Sequence, residues 1–343
     1  MGRVSGAVVL AAGRGTRLPS GLPKVLTPVA GRPMVCYLLD TLGAFFQPSD
    51  ITVVVGHRAD EVRAALGDRY RYVYQAEQLG TGHALAVCRP FLGPRAEVLV
   101  IGGDTPLVRA ETLRRLLALH AEREPDISLV TCAGGNPAGM GRVIRDTEGR
   151  VRRVVEEQEA TPDELRAAEW NAGIYALRLE SLWEGLGSLP RARNGEYYLT
   201  DLVGWAVGRG LRVESLTVFD PDEVQGINTP ADLLRAECTV FRRVRAELVG
   251  AGVRLVGAES IWVEPSVLVE PGTVLLPLTY LGGRTRVGAG CRIGPRAVLI
   301  DCEVGAGSII RDVTLEGCHL EPGSRVPPDP GGPGGPPAGV LPL

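Results

Sequence analysis

Lysine is nearly missing from this chain: of 37 basic residues only Lys24 is a lysine, and the rest are arginine. A basic excess is missing too. The net charge of −3 and a pI near 5.9 exclude the usual profile of a dedicated nucleic-acid binder. No apolar run nears the ~20 residues that a membrane-crossing helix needs, so no membrane partner is expected. The first residues, Met1-Gly2-Arg3-Val4-Ser5, enter a short apolar run without a signal-cleavage pattern, and a cytoplasmic protein is expected. The cysteines (Cys36, Cys88, Cys132, Cys238, Cys291, Cys302, Cys318) are odd in number and never form a Cys-x-x-Cys pair. Reduced, mostly buried thiols fit this pattern better than disulfides or zinc.

What is present divides into two textures. At 343 residues the chain exceeds the usual single domain. From residue 6 to about 220, short apolar runs alternate with helix-type periodicity. Strands are expected at Gly6–Ala12, Ile51–Val55, 70–74 and Glu97–Ile101, and helices at 33–46, 59–66, 82–89 and 110–122. Such alternation predicts a mostly parallel, Rossmann-like α/β sheet covered on both faces. Its ligands bind beyond the carboxyl ends of the strands, so the loops after Ala12, Tyr74 and Ile101 are expected to meet in one cleft.

A longer helix over 230–249 leads into a second pattern. Aliphatic residues recur every six positions at Val263, Val269, Leu275, Leu281, Val287, Ile293 and Leu299. The phase slips by one to Val304, resumes at Ile310, and ends with Leu320 and Val326. A period of six is neither helix nor ordinary strand; it is the signature of a parallel β-helix. About three and a half coils are expected. The organisation read from these textures is a domain over 1–229, a linker helix over 230–252, a β-helix over 253–326, and a disordered Pro/Gly tail over 327–343.

The chemistry begins in the first loop. Gly13 and Gly15 let backbone N–H groups approach an anion closely, and Arg17 adds a two-pronged charge. Lys24 is the one compact ammonium in an arginine-rich chain, and the two side chains bind differently. Leu10-Ala11-Ala12-Gly13-x-Gly15-Thr16-Arg17 with Pro23-Lys24-Val25-Leu26 resembles the signature of sugar-phosphate nucleotidylyltransferases. Gln75 to Ala84 (QAEQLGTGHA) and Asn194 to Asp201 (NGEYYLTD) narrow it. Both resemble the family of bifunctional N-acetylglucosamine-1-phosphate uridylyltransferase/glucosamine-1-phosphate acetyltransferases, in which a left-handed β-helix follows the nucleotidylyltransferase domain. The likeness spans residues 6 to about 326.

The resemblance implies a role for each matching position. Leu10, Ala12, Gly13, Gln75, Gly80 and Thr81 hold the uridine, with Gln75 paired to the uracil edge. Arg17 faces the pyrophosphate and Lys24 the phosphate at the reacting centre. Asp104 and Asn228 coordinate Mg²⁺, while Gly141, Glu156 and Asn171 read the sugar. General chemistry agrees with such a set: phosphoryl displacement needs positioning and charge neutralisation rather than covalent help, and Mg²⁺ takes few protein oxygens beside substrate phosphates. By residue type alone, Asp104 also suits a turn before Pro106, Glu156 a solvated acidic stretch, and Asn171 and Asn228 ordinary turns. His83 reads as a helix-face or hydrogen-bonding residue.

The activity implied is formation of UDP-N-acetylglucosamine and pyrophosphate from UTP and N-acetylglucosamine-1-phosphate. Two alternatives are a transferase with other substrates, such as dTTP and glucose-1-phosphate, and a non-catalytic regulatory or scaffold homologue. Pro277 stands where the resemblance puts the acetyltransferase histidine, and hexads number only about ten, so acetyl transfer is expected to be missing. Flat β-helix faces predict a homotrimer.

Overall fold

The computed structural model describes residues 4–18, 21–93, 96–135, 138–327 and 340–341. They fall into two units: the residues up to Pro28 with Arg32–Leu233, and Val29–Gly31 with the residues from Leu234 onward.

The first unit is built on nine strands: β1 (Val4–Leu10), β2 (Ile51–Val55), β3 (Arg71–Tyr74), β4 (Glu97–Gly102), β5 (Ile127–Cys132), β6 (Arg142–Arg145), β7 (Val151–Val155), β8 (Trp170–Arg178) and β9 (Val213–Val218). The main path runs β9-β5-β8-β4-β1-β2-β3, with the β6–β7 hairpin attached beside β8. Contacts of β1 with β2 and β4, of β2 with β3, and of β9 with β5 are parallel. Strand β8 alone runs against both its main-path neighbours, β4 and β5. It follows a hairpin rather than a crossover helix, so the chain returns in the opposite sense; alternation of strand and helix carries no sign of this reversal.

The strands are apolar on both faces because helices cover both. Val8 packs with Leu85, Leu182 and Leu202 on one side, while Val9 packs with Leu38, Leu42 and Leu116 on the other. The helices Met34–Gly43, Ala59–Leu66, Thr81–Ala86 and Ala110–Arg123 match the expected segments to within a few residues. A further helix, Pro230–Gly250, buries Val240, Phe241, Val244 and Leu248.

The second unit contains the left-handed parallel β-helix. Its faces hold five, four and four parallel strands, which makes four complete coils and the first strand of a fifth instead of three and a half. Inward residues stack in register: Val263 on Leu281, Leu281 on Leu299, Leu299 on Leu315. All four are fully buried, and their outward neighbours Trp262, Tyr280, Val298 and Thr314 keep solvent contact. Val269, expected to point inward in the same way, stacks on Val287 on another face and is only half-buried.

The coils also shorten along the stack. Leu281 pairs with Leu299, eighteen residues on, whereas Leu299 pairs with Leu315, sixteen on. Leu315 is the inward residue that a strict period of six passes over. Residues are lost at corners, one beside Asp301 and one beside Asp312, both of which take positive φ. Most of the expected Pro/Gly tail lies outside the described residues; Val340–Leu341 runs antiparallel to Thr314–Leu315. All seven cysteines are free, four of them buried.

The stacking makes a direct prediction. Leu299→Ala removes a buried side chain with little room to collapse and should cost about 3 kcal/mol, whereas Val298→Ala, on the outer side, should change stability by under ~1 kcal/mol. Urea unfolding of the two variants followed by circular dichroism checks it. Equal losses would contradict the inward column.

Candidate active site

Strands β1, β3 and β4 end at the same edge of the sheet, and the loops that follow them face one cleft of about 960 Å³. Every residue given a catalytic, substrate-binding or metal role from the sequence lines it: Leu10, Ala12, Gly13, Gly15, Arg17, Lys24, Gln75, Gly80, Thr81, Asp104, Gly141, Glu156, Asn171 and Asn228.

Lys24 opens a short 3-10 turn after Pro23, over buried Val25 and Leu26. Gly15 has φ +64, and a Cβ there would lie 2.6 Å from the Cβ of Lys24, so only glycine lets the loop pass this close. The Lys24 ammonium donates to Oδ2 of Asp104 and, at 2.8 Å, to Oδ1 of Asn228. Arg17 donates to the same Asn228 oxygen at 3.2 Å. Asn228 is itself held by Asp232, whose carboxylate accepts its backbone N–H at 3.0 Å and that of Thr229 at 2.9 Å. Thr229 and Asp232 thus form a capping arrangement at the start of the long helix.

The same oxygens suit a divalent cation. One carboxylate and one carboxamide converge on a single positive group, and hard oxygen donors in this number match a metal completed by substrate phosphates and water. Among the described residues no cluster of three His, Cys, Asp or Glu offers an all-protein metal cage.

At the other end, β3 delivers Gln75, which is 2% exposed. Its Nε2 donates to Gly80 O at 3.2 Å and lies 3.0 Å from Nδ1 of His83. Gly80 has φ +94, and a Cβ would lie 2.6 Å from the carbonyl oxygen of Tyr197. The two later sequence motifs pack together here. Tyr197 N–H donates to Leu79 O, Gly82 N–H to Tyr197 O, and Leu199 N–H to the Thr81 hydroxyl, at 2.8, 2.8 and 3.0 Å.

On the far wall, Gly141 lies beside Glu156; a Cβ on it would meet Oε2 at 3.4 Å. Thr200 donates to Oε1 of Glu156 at 2.8 Å. Burial pushes the Glu156 carboxyl above its ordinary range, the Thr200 bond opposes this, and Asp201 and Glu196 add to it. Asn171 donates through Nδ2 to the Tyr175 hydroxyl at 2.7 Å, which leaves its Oδ1 to accept from Gly173 N–H at 3.2 Å. Burial raises the Tyr175 phenol far up, so it stays a neutral hydrogen-bonding group.

Sequence reasoning missed the groups that hold these side chains. Thr200 lay inside a quoted motif without an assigned task, and Asp232 carries a readable capping signal three residues after Thr229. Tyr175 gave no signal, since a strand tyrosine reads as core. His83 was read as a hydrogen-bonding residue without a partner.

Known proteins resemble this chain over most of its length. A family model described as a MobA-like NTP transferase domain matches residues 7–177. The chain is 40% identical over 338 residues to the bifunctional protein GlmU of Pelobacter propionicus, covering 93% of this chain and 73% of that protein. It is 42% identical over 331 residues to GlmU of Pelotomaculum thermopropionicum, covering 94% and 72%. Among solved structures, a putative glucose-1-phosphate thymidylyltransferase from Bacillus anthracis aligns with a TM-score of 0.56 at 20% identity, covering 69% of this chain and 95% of that one. The inositol-1-phosphate CTP transferase from T. maritima aligns with a TM-score of 0.54 at 19% identity, covering 69% and 96%. These two share the fold. With GlmU proteins matched at this identity over more than nine-tenths of its length, the chain belongs to the GlmU family and is a sugar-1-phosphate nucleotidylyltransferase.

Proposed function

We propose that the chain forms UDP-N-acetylglucosamine and pyrophosphate from UTP and N-acetylglucosamine-1-phosphate, with Mg²⁺ as the divalent cation. The observation that carries this reading is the convergence of Lys24 and Arg17 with Asp104 and Asn228 in one cleft.

The reaction joins an oxygen of the sugar phosphate to the α-phosphorus of UTP and releases the bond from that phosphorus to the β-phosphate oxygen. The attacking oxygen is already anionic at neutral pH, so no side chain has to remove a proton. The residues therefore act by position and charge. The 11–17 loop turns its backbone toward the triphosphate, Arg17 neutralises the departing pyrophosphate, and Lys24 offers its ammonium to the phosphate being transferred. Asp104 and Asn228 would hold the Mg²⁺, which when bound supplies further positive charge to the triphosphate. Gly141 leaves room for the sugar, while Glu156 and the Asn171 region offer hydrogen-bond acceptors to its hydroxyl and amide groups.

Missing acetyl transfer remains part of the proposal, supported by Pro277 standing where the family resemblance calls for a histidine base. Homotrimer formation is proposed too. Trp262, Tyr280 and Val298 form an outward column on one β-helix face, which supports association of copies through that face. Sedimentation analysis should give three times the 36.4 kDa chain mass; a concentration-independent monomer would count against it.

Lys24→Ala should lower kcat/KM about 100-fold or more and leave the melting temperature nearly unchanged. Pyrophosphate release with a panel of nucleotides and sugar phosphates reads this out. Near-normal turnover would refute the role of Lys24, preference for dTTP with glucose-1-phosphate would change the substrates, and thermal stabilisation by UTP without turnover would favour a non-catalytic homologue.

Glu156 provides a pH test. Its carboxyl is pushed up by burial, so it takes a proton at a higher pH than an ordinary glutamate, and acidification relieves the cost of its buried charge. As pH falls from neutral, KM for the sugar phosphate should rise in the wild type before ordinary glutamates titrate. The Glu156→Gln variant should lack that component, while ionisation of the substrate affects both proteins alike. Parallel profiles would remove Glu156 from sugar binding.

A further inference from the structure

One hydrogen on the wall formed by β8 has no partner in the protein. The strand shifts register between Asn171 and Tyr175, and there the Asn171 carboxamide folds back onto its own backbone. A backbone N–H only donates, so the Asn171 atom that receives Gly173 N–H at 3.2 Å must be Oδ1. The NH₂ end then donates to the Tyr175 hydroxyl at 2.7 Å. The phenol oxygen accepts in that bond, so its own hydrogen points elsewhere. No described residue receives it. Tyr175 is 3% exposed and lines the cleft, and a donor buried to this degree without an acceptor is costly unless a ligand supplies one.

Glu156 has the opposite surplus. Its Oε1 accepts from Thr200, while Oε2, beside Gly141, accepts from no described residue. The Glu156 charge acts on the Tyr175 phenol, and both residues line the cleft. One unspent donor and one unspent acceptor suit a group that accepts and donates at once, and a sugar hydroxyl is such a group.

We propose that Tyr175 is a further sugar-binding residue: its phenol donates to a hydroxyl oxygen of the sugar, and that hydroxyl donates in turn to Glu156. This rests on the reading of the Glu156 and Asn171 wall as the sugar site. An ether oxygen could take the phenol hydrogen but has none to give Glu156. A protonated amine could serve Glu156 but would leave the phenol without an acceptor. Tyr175→Phe removes the hydroxyl and keeps the ring, and Tyr175→Met keeps an apolar filling should the first variant fail to fold. KM for N-acetylglucosamine-1-phosphate should rise about fivefold, the effect of one neutral hydrogen bond. KM for UTP and the melting temperature should stay near those of the wild type.

Two further measurements separate a contact with the sugar from mere support of Asn171. In an Asn171→Ala background, Tyr175→Phe should still raise the sugar-phosphate KM. Among monodeoxy analogues of the sugar phosphate, one should have a KM about fivefold higher in the wild type and suffer no further rise from Tyr175→Phe. Calorimetric titration of UDP-N-acetylglucosamine against UDP reads the contribution of the sugar without turnover, and Tyr175→Phe should lower that preference by the same factor. An effect that vanishes in the Asn171→Ala background, additive losses with every deoxy analogue, or equal rises in both KM values would overturn the proposal. Normal turnover with an unchanged sugar-phosphate KM would overturn it too, while leaving nucleotidyl transfer standing. A sugar preference lowered by Tyr175→Phe, with no pyrophosphate release from either protein, would support the role of Tyr175 and refute nucleotidyl transfer.

Discussion

One cation holds the reacting end of this cleft together. The ammonium of Lys24 draws in a carboxylate from the end of β4 and an amide oxygen from the segment before the long helix, and Arg17 shares the second of these. Residues 80 and 204 positions apart from Lys24 in sequence thereby meet at one point. At an effective dielectric of ~20, two unit charges about 4 Å apart attract by about 4 kcal/mol, and stripping water from them costs a comparable amount. The net contribution to folding is small. What the contact secures is placement, since the oxygens and positive groups already stand where a polyphosphate would need them.

The surrounding fold serves that placement. Parallel strands deliver three loops to one edge, and glycine at positions 15 and 80 allows backbone or neighbouring side chains to close within distances no Cβ would permit. The remaining side chains are steadied by partners that never need to touch a ligand. Asp232 steadies Asn228, Thr200 steadies Glu156, and His83 steadies Gln75. A small set of polar groups in a large cleft becomes selective because each has a defined direction.

Much of this was legible in the residues. The strand and helix segments up to residue 122 and the period of six follow from local patterns, while most of the cleft's lining was named through the family resemblance of its motifs. The direction of β8 did not, because parallel and antiparallel buried strands have the same apolar composition. Leu315 escaped because a fixed period hides residues lost at turns. The positioning partners escaped for a different reason: Thr200, Tyr175 and His83 acquire meaning only from the atom opposite, and nothing in their own spacing names it. Glycine and the lone lysine could be read because each marks a demand of its own backbone or charge.

The shortening of successive coils has a consequence for how such a prism changes over time. Its layers stay aligned although the corners differ in length, so the load is borne by the flat sides and the bends are free. A corner can shed a residue, or by the same logic gain a loop, while the column inside keeps its spacing. New surface features can thus be added to one vertex of the tower without rebuilding any floor.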